Sequence, residues 1–141
     1  MTTYHKPTTT LRLRGNDPTG YGHFGASRSG GKRKHNGTDY CADEGEPIFA
    51  VISGKIRIGY PYKGQTKMKL VEITQSDTAV KIMYVEPKVR DGQNVQAGEI
   101  IGYAQNVAKY WNSNKMKNHI HVEIRIKGQL VDPEQRIKDK V

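Results

Sequence analysis

Near its C-terminal end the chain reads Asn118-His119-Ile120-His121-Val122-Glu123-Ile124-Arg125, two imidazoles set two residues apart inside a β-branched run. On a strand, side chains alternate faces with a period of two. Ile120, Val122, Ile124 and Ile126 then share one face, and His119, His121, Glu123 and Arg125 share the other. The β-branched face packs on a core and leaves the second face to line a cleft. Two imidazoles there, ~7 Å apart at strand rise, can share one metal site. An isolated His-x-His also describes two surface histidines on an amphipathic strand, so the metal reading needs a second cluster.

His35-Asn36-Gly37-Thr38-Asp39 offers one. A neutral imidazole and a carboxylate are suitable zinc ligands, and a turn between them lets both point at one ion. Asn36-Gly37 is a turn signal, and Thr38 and Tyr40 favour strand. His35 is therefore expected at the end of a loop and Asp39 at the start of a strand. Taken alone, His-x3-Asp is a weak pattern that arises often by chance.

The elements that must position these residues are short and β-rich. Residues 1–18 read as an extended arm, with one short strand at Leu11-Arg12-Leu13, and residues 19–141 as the domain. Thr19 to Lys34 is a long glycine-rich loop, of a length that tends to be functional in a compact domain. Pro47 to Ile52 and Gly54 to Ile58 read as strands broken at Ser53-Gly54. Met68 to Thr74 and Ala79 to Val85 form a hairpin around Gln75-Ser76-Asp77-Thr78. Glu99 to Ala104 is a further strand, Gln105 to Lys117 a polar excursion holding the only tryptophan, and Glu134 to Lys140 a short basic helix. The fold class this predicts is all-β, a small antiparallel sheet or sandwich with long loops around a groove.

Composition narrows the partners. A chain of 141 residues fits one domain with a single sizeable core. Its formal charge of +9 calls for a polyanionic partner such as nucleic acid, anionic lipid or an anionic cell-wall polymer. Helix-turn-helix, zinc-finger and aromatic RNA-binding patterns are all missing, so no specific nucleic-acid partner is expected. No apolar run approaches the ~18 residues of a transmembrane segment, and Met1 to Arg14 lacks the apolar stretch of a secretory signal. The single cysteine excludes an internal disulfide framework and a four-cysteine zinc site. Cys41 is expected as a small buried core residue. His5 and His23 carry no pattern and are assigned to loop or solvent.

Four pieces, in order along the chain, resemble the lysostaphin-like (LytM-type) zinc metallopeptidases. His35-x3-Asp39 resembles the family's first metal motif, and the run from Gly45 to Ile56 its Gly-x-Pro-Val-x-Ala hairpin. Asp91 to Gly102 resembles its Gly-x-x-Val-x-x-Gly-x-x-Ile-Gly turn. His119-x-His121-x-Glu123, with Gly128 and Val131-Asp132-Pro133, resembles its closing strand. The resemblance implies one zinc per chain held by His35, Asp39 and His121, with His119 catalytic beside it. It implies an endopeptidase acting on peptidoglycan peptide, a monomer working outside the cytoplasm in periplasm or cell wall. With no signal visible, release would be by lysis, by a phage particle or by dedicated secretion.

One position departs from the family. Its further histidine, on the strand before the Gly-x-x-Val turn, is replaced here by Tyr84 within Val80 to Pro87. This run, with Gly22-x-Phe24-x-Ala26-x-Arg28-Ser29 upstream, also looks like the leukocyte-derived chemotaxin branch, regarded as a secreted binding protein without established peptidase activity. Tyr84 then reads either as a hydroxyl donor at the groove or as a core aromatic sharing a face with Val80 and Ile82. The second functional reading is a non-catalytic, zinc-stabilised recognition module.

Overall fold

The computed structural model describes residues 2–17, 20–22, 24–25, 27–28 and 33–137. Among them, two-residue ribbons pair Asn16–Asp17 (β1) with Gly20–Tyr21 (β2) and Ser27–Arg28 (β3) with Arg33–Lys34 (β4). The longer elements are Thr38–Cys41 (β5), Pro47–Phe49 (β6), Gly54–Gly59 (β7), Leu70–Gln75 (β8) and Thr78–Met83 (β9). Val85–Pro87 (β10), Asn94–Val95 (β11), Ile100–Ala104 (β12), Val107–Tyr110 (α1), His119–Ile126 (β13) and Gln129–Val131 (β14) complete them.

The large antiparallel sheet runs β11-β7-β8-β9-β13-β14, with β5 pairing the N-terminal half of β13 on the edge β14 shares. A smaller sheet, β10-β12-β6, packs against it. Register decides the faces. Ile56, Ile73, Val80 and Ile124 are successive cross-strand neighbours, as are Ile58, Val71, Ile82 and Val122. These rows bury toward the small sheet's Ile48, Val85 and Ile101. The opposite rows, Arg57-Glu72-Lys81-Glu123 and Met83-His121-Asp39, line the open face.

The expected hairpin forms with Ser76 and Asp77 at its tip, Ser76 at φ 52. Several details differ from expectation. Leu11 to Leu13 makes only an isolated bridge, Leu13 to Tyr40, although the Arg14 amide donates to the Asp39 carbonyl and the Cys41 amide to the Arg12 carbonyl there. Cys41 is half-buried rather than in the core, because the register sets it opposite His119 on the open face. The polar excursion holds the one-turn helix α1, capped by the Asn106 side chain accepting from the Lys109 amide. A 3-10 turn at Pro133–Gln135 stands where the basic helix was expected, and residues 138–141 lie outside the described residues. His23, Ala26, Ser29 and Lys32, within the glycine-rich loop, also lie outside them. Among the described residues no helix is long and apolar enough to cross a membrane.

Candidate metal centre

His121 and Asp39 are direct cross-strand partners on β13 and β5, so their side chains leave the sheet side by side. His35 arrives from the turn before β5. That turn passes over β13 at Gly37, where a Cβ would overlap the Val122 carbonyl oxygen. Glycine is thus needed for close approach of two backbones, and this approach delivers the His35 ring to His121.

Three atoms converge. His121 Nδ1 lies 2.8 Å from Asp39 Oδ1 and 2.9 Å from His35 Nε2, and His35 Nε2 lies 3.3 Å from Asp39 Oδ1. Tetrahedral ligands ~2.0–2.1 Å from a zinc ion stand ~3.3 Å apart, so small rotations would open this triangle onto an ion. Two imidazoles and a carboxylate, all buried and within reach of one another, could together hold one metal ion.

In two of the three, His121 and Asp39, the remaining polar atom is held by a neighbour. Glu123, two residues along β13, accepts from His121 Nε2 at 3.0 Å, the carboxylate–imidazole pairing that orients metal ligands. Arg14 Nη1 donates to Asp39 Oδ2 at 2.9 Å, leaving Oδ1 for the triangle. Burial alone raises the Asp39 carboxyl, yet hydrogen bonds from His121 and His35 and the charge of the histidines hold it well below the usual range. Burial lowers the His121 imidazole, but Asp39 and Glu123 outweigh it and raise the group to about 9.

His119 sits one cross-strand row further along the same face. Its Nδ1–H donates to the Lys117 carbonyl at 2.7 Å, which fixes the tautomer with an unprotonated Nε2. Burial lowers its pKa and keeps the ring neutral despite Asp39 Oδ2 at 3.7 Å.

Tyr84 breaks the strand alternation. Val80 and Ile82 are core, but Tyr84 has φ 74 at the corner where the chain leaves the large sheet for the small one. That left-handed conformation is unfavourable for a bulky residue. It carries the ring out of the core face to meet His119 edge-on, centroids 5.6 Å apart, among Met68 and Val107. The Tyr84 hydroxyl is hydrogen-bonded to the Tyr62 hydroxyl at 2.7 Å. Burial foremost, then Tyr62, raises the Tyr84 phenol, so it is a neutral donor.

His35, Asp39, His119, His121, Glu123, Arg14, Tyr62 and Tyr84 all line one cavity of about 670 Å³. Arg14 and Tyr62 were not anticipated. Each lies in a polar or glycine-rich stretch without periodicity, and each reaches the site through a contact between segments at least 22 residues apart.

A small antiparallel β-fold with a buried His/Asp/His cluster in its groove defines the class as a metallopeptidase fold. Residues 33–133 match the profile of Peptidase family M23, and the chain belongs to that family. It is 33% identical over 117 residues to myeloid protein 1 of Gallus gallus, covering 81% of this chain and 35% of that protein. It is 28% identical over 110 residues to leukocyte cell-derived chemotaxin-2 of Mus musculus, covering 76% of this chain and 69% of the relative. The catalytic domain of the antimicrobial peptidase lysostaphin from Staphylococcus simulans superposes with a TM-score of 0.58 at 24% identity, over 84% of this chain and 88% of that one. The chain thus spans about a third of the length of myeloid protein 1.

Proposed function

We propose that the chain is a zinc-dependent endopeptidase that hydrolyses peptide bonds in the cross-bridges or stems of bacterial peptidoglycan. The convergence of His35 Nε2, Asp39 Oδ1 and His121 Nδ1 in a groove shared with His119 carries this reading. Zinc held by those three residues would supply Lewis acidity, acidifying water and polarising the scissile carbonyl. Glu123 and Arg14 hold the ligand side chains in place. His119, fixed by Lys117 with Nε2 unprotonated, takes a proton from the attacking water and returns it to the leaving amine. The Tyr84 hydroxyl donates to the developing oxyanion, with Tyr62 orienting it. A left-handed tyrosine at a strand corner is the kind of strain that persists where function selects it.

The net charge of +9 suits an anionic wall polymer, and the site of action is then outside the cytoplasm. Cell-wall zymography with and without chelator tests the reading: clearing that chelator removes and zinc restores is expected. Metal analysis should give one zinc per chain, and near-stoichiometric zinc in His121→Ala would sink the ligand assignment. His119→Ala should keep its zinc and lose 10²- to 10⁴-fold in rate, as for a general base.

A second reading, a zinc-stabilised recognition module that binds without cleaving, is favoured by two observations. Tyrosine stands at position 84 and the relatives include a chemotaxin. A protein that binds zinc and walls but clears none of them would establish it.

A further inference from the structure

An apolar wall begins one strand away from the metal cluster. Met83 on β9 is the direct cross-strand partner of His121 on β13, so their side chains leave the sheet together, Cβ atoms ~5 Å apart. Pro61, Tyr62, Trp111 and Met116 line the same cavity. Aromatic rings run along it without a break. Tyr84 meets His119 edge-on at 5.6 Å, Tyr62 lies 6.2 Å from Tyr84, and Trp111 meets Tyr62 edge-on at 5.3 Å. Trp111, the only tryptophan of the chain, ends the array 52% exposed. Leaving about half an indole in water forgoes a large burial gain.

Both loops that present the wall are tied down by hydrogen bonds. The Tyr62 hydroxyl is bonded to that of Tyr84 at 2.7 Å, and its ring stacks on Tyr110 (5.9 Å, 17°). Gln65 accepts from the Met68 amide and donates to the Met68 carbonyl, closing the Tyr62 loop. Asn118 accepts from the Ala108 amide and donates to the Ala42 and Gln105 carbonyls, and the Trp111 amide donates to the Val107 carbonyl. A wall already in place binds with little ordering cost. It offers little to a polar side chain, because the Tyr62 hydroxyl is engaged with Tyr84 and Pro61 has no side-chain donor or acceptor. The thioethers of Met83 and Met116 are only weak acceptors. A charged group laid there would lose its water without gaining a partner.

From this arrangement we infer that Met83, Tyr62, Trp111 and Met116 form the specificity wall of the groove, which seats an apolar side chain on a residue flanking the scissile bond. Consecutive Cα atoms of a peptide stand ~3.8 Å apart. With the reacting carbonyl beside His35, Asp39 and His121, the neighbouring residue on the Tyr84 side lies over Met83 and Tyr62. Glycine leaves the wall wet. Alanine covers its nearest part with one methyl. Leucine covers more, because the half-exposed indole leaves the far end open and the methionines adapt to irregular shapes. The inference rests on the endopeptidase reading for the bond over the metal centre. It adds which bond that is, one bordered by a residue with an apolar side chain and not one within a run of glycine.

The lone tryptophan reports on its own wall. Chelator-treated protein is titrated with blocked tripeptides carrying glycine, alanine, leucine, lysine or glutamate at the centre, while indole emission is followed. Saturable shifts are expected, with affinity rising from glycine through alanine to leucine by at least about tenfold overall (~1.4 kcal/mol). Lysine and glutamate should bind no more tightly than glycine. In the zinc-loaded protein, kcat/KM for an alanyl-alanine bond should exceed that for a glycyl-glycine bond at least about tenfold. Trp111→Ala should shrink that ratio to within about threefold and Trp111→Phe should keep most of it, both with zinc content unchanged. Equal affinities across the series, or tightest binding of a charged centre, overturns the specificity wall. Peptides bound in order of apolar size yet never cut would fail the endopeptidase reading and leave the wall standing. Cutting with no preference for the apolar residue would do the reverse.

Discussion

Arg14 donates to Asp39 Oδ2 at 2.9 Å, and both side chains are almost wholly buried, 5% and 2% exposed. The segment before β1 thereby contributes to the candidate metal centre. A buried ion pair loses about 3–5 kcal/mol when one partner is removed, because the other charge is stranded. Arg14→Gln should therefore destabilise the chelator-treated protein by that order. The zinc-loaded protein should lose less, since the ion still compensates Asp39. Urea unfolding in both states checks this, and equal losses would show that Arg14 acts only in packing the arm.

Gly37→Ala tests how His35 reaches the site. The added methyl overlaps the Val122 carbonyl oxygen and crowds Glu123 Cγ at 3.1 Å, so the turn must lift from β13. Zinc affinity should fall at least about tenfold, ~1.4 kcal/mol, by competition with a chromogenic chelator. Unchanged affinity would mean that the turn can shift without moving His35.

Protons should accompany zinc. In the metal-free protein His121 is raised to about 9, above the ~6.5 of an unfolded imidazole. A raised folded-state pKa stabilises fully below ~6.5, and that contribution is lost as pH climbs through about 9. Zinc on Nδ1 displaces one ring proton, so binding between pH 7 and 8 should release a proton and tighten as pH rises. Calorimetry in two buffers of different ionisation enthalpy measures that release. None would place the apo imidazole in its neutral form.

Tyr84→Phe keeps the ring and deletes only the hydroxyl. Losing an oxyanion donor should lower wall hydrolysis by roughly 10²-fold or more. Zinc content should hold, and stability should fall by no more than the ~1 kcal/mol of the Tyr62 hydrogen bond. Full activity in Tyr84→Phe would make the residue packing alone. If the wild type is inert on every wall and Tyr84→His gains activity, the recognition module is the function.

Local pattern was enough for the elements. Alternation in His119 to Ile126 separates a core face from a histidine face whatever lies around it, because a strand's period is a property of its backbone. The turn signals at Gln75 to Thr78 and the four ordered motifs likewise depend on near neighbours, and they were enough to indicate family and fold class. What needed the folded chain is register and approach. The pairing of β5 with β13 sets Asp39 against His121 and moves Cys41 out of the core. The left-handed corner at Tyr84 overrides an alternation that had placed its ring inward. Arg14 and Tyr62 come from segments without period, and nothing in their own neighbourhoods marks them. Their partners lie 25 and 22 residues away in sequence, and only tertiary packing, which closes loops of that length, brings such groups within hydrogen-bonding distance.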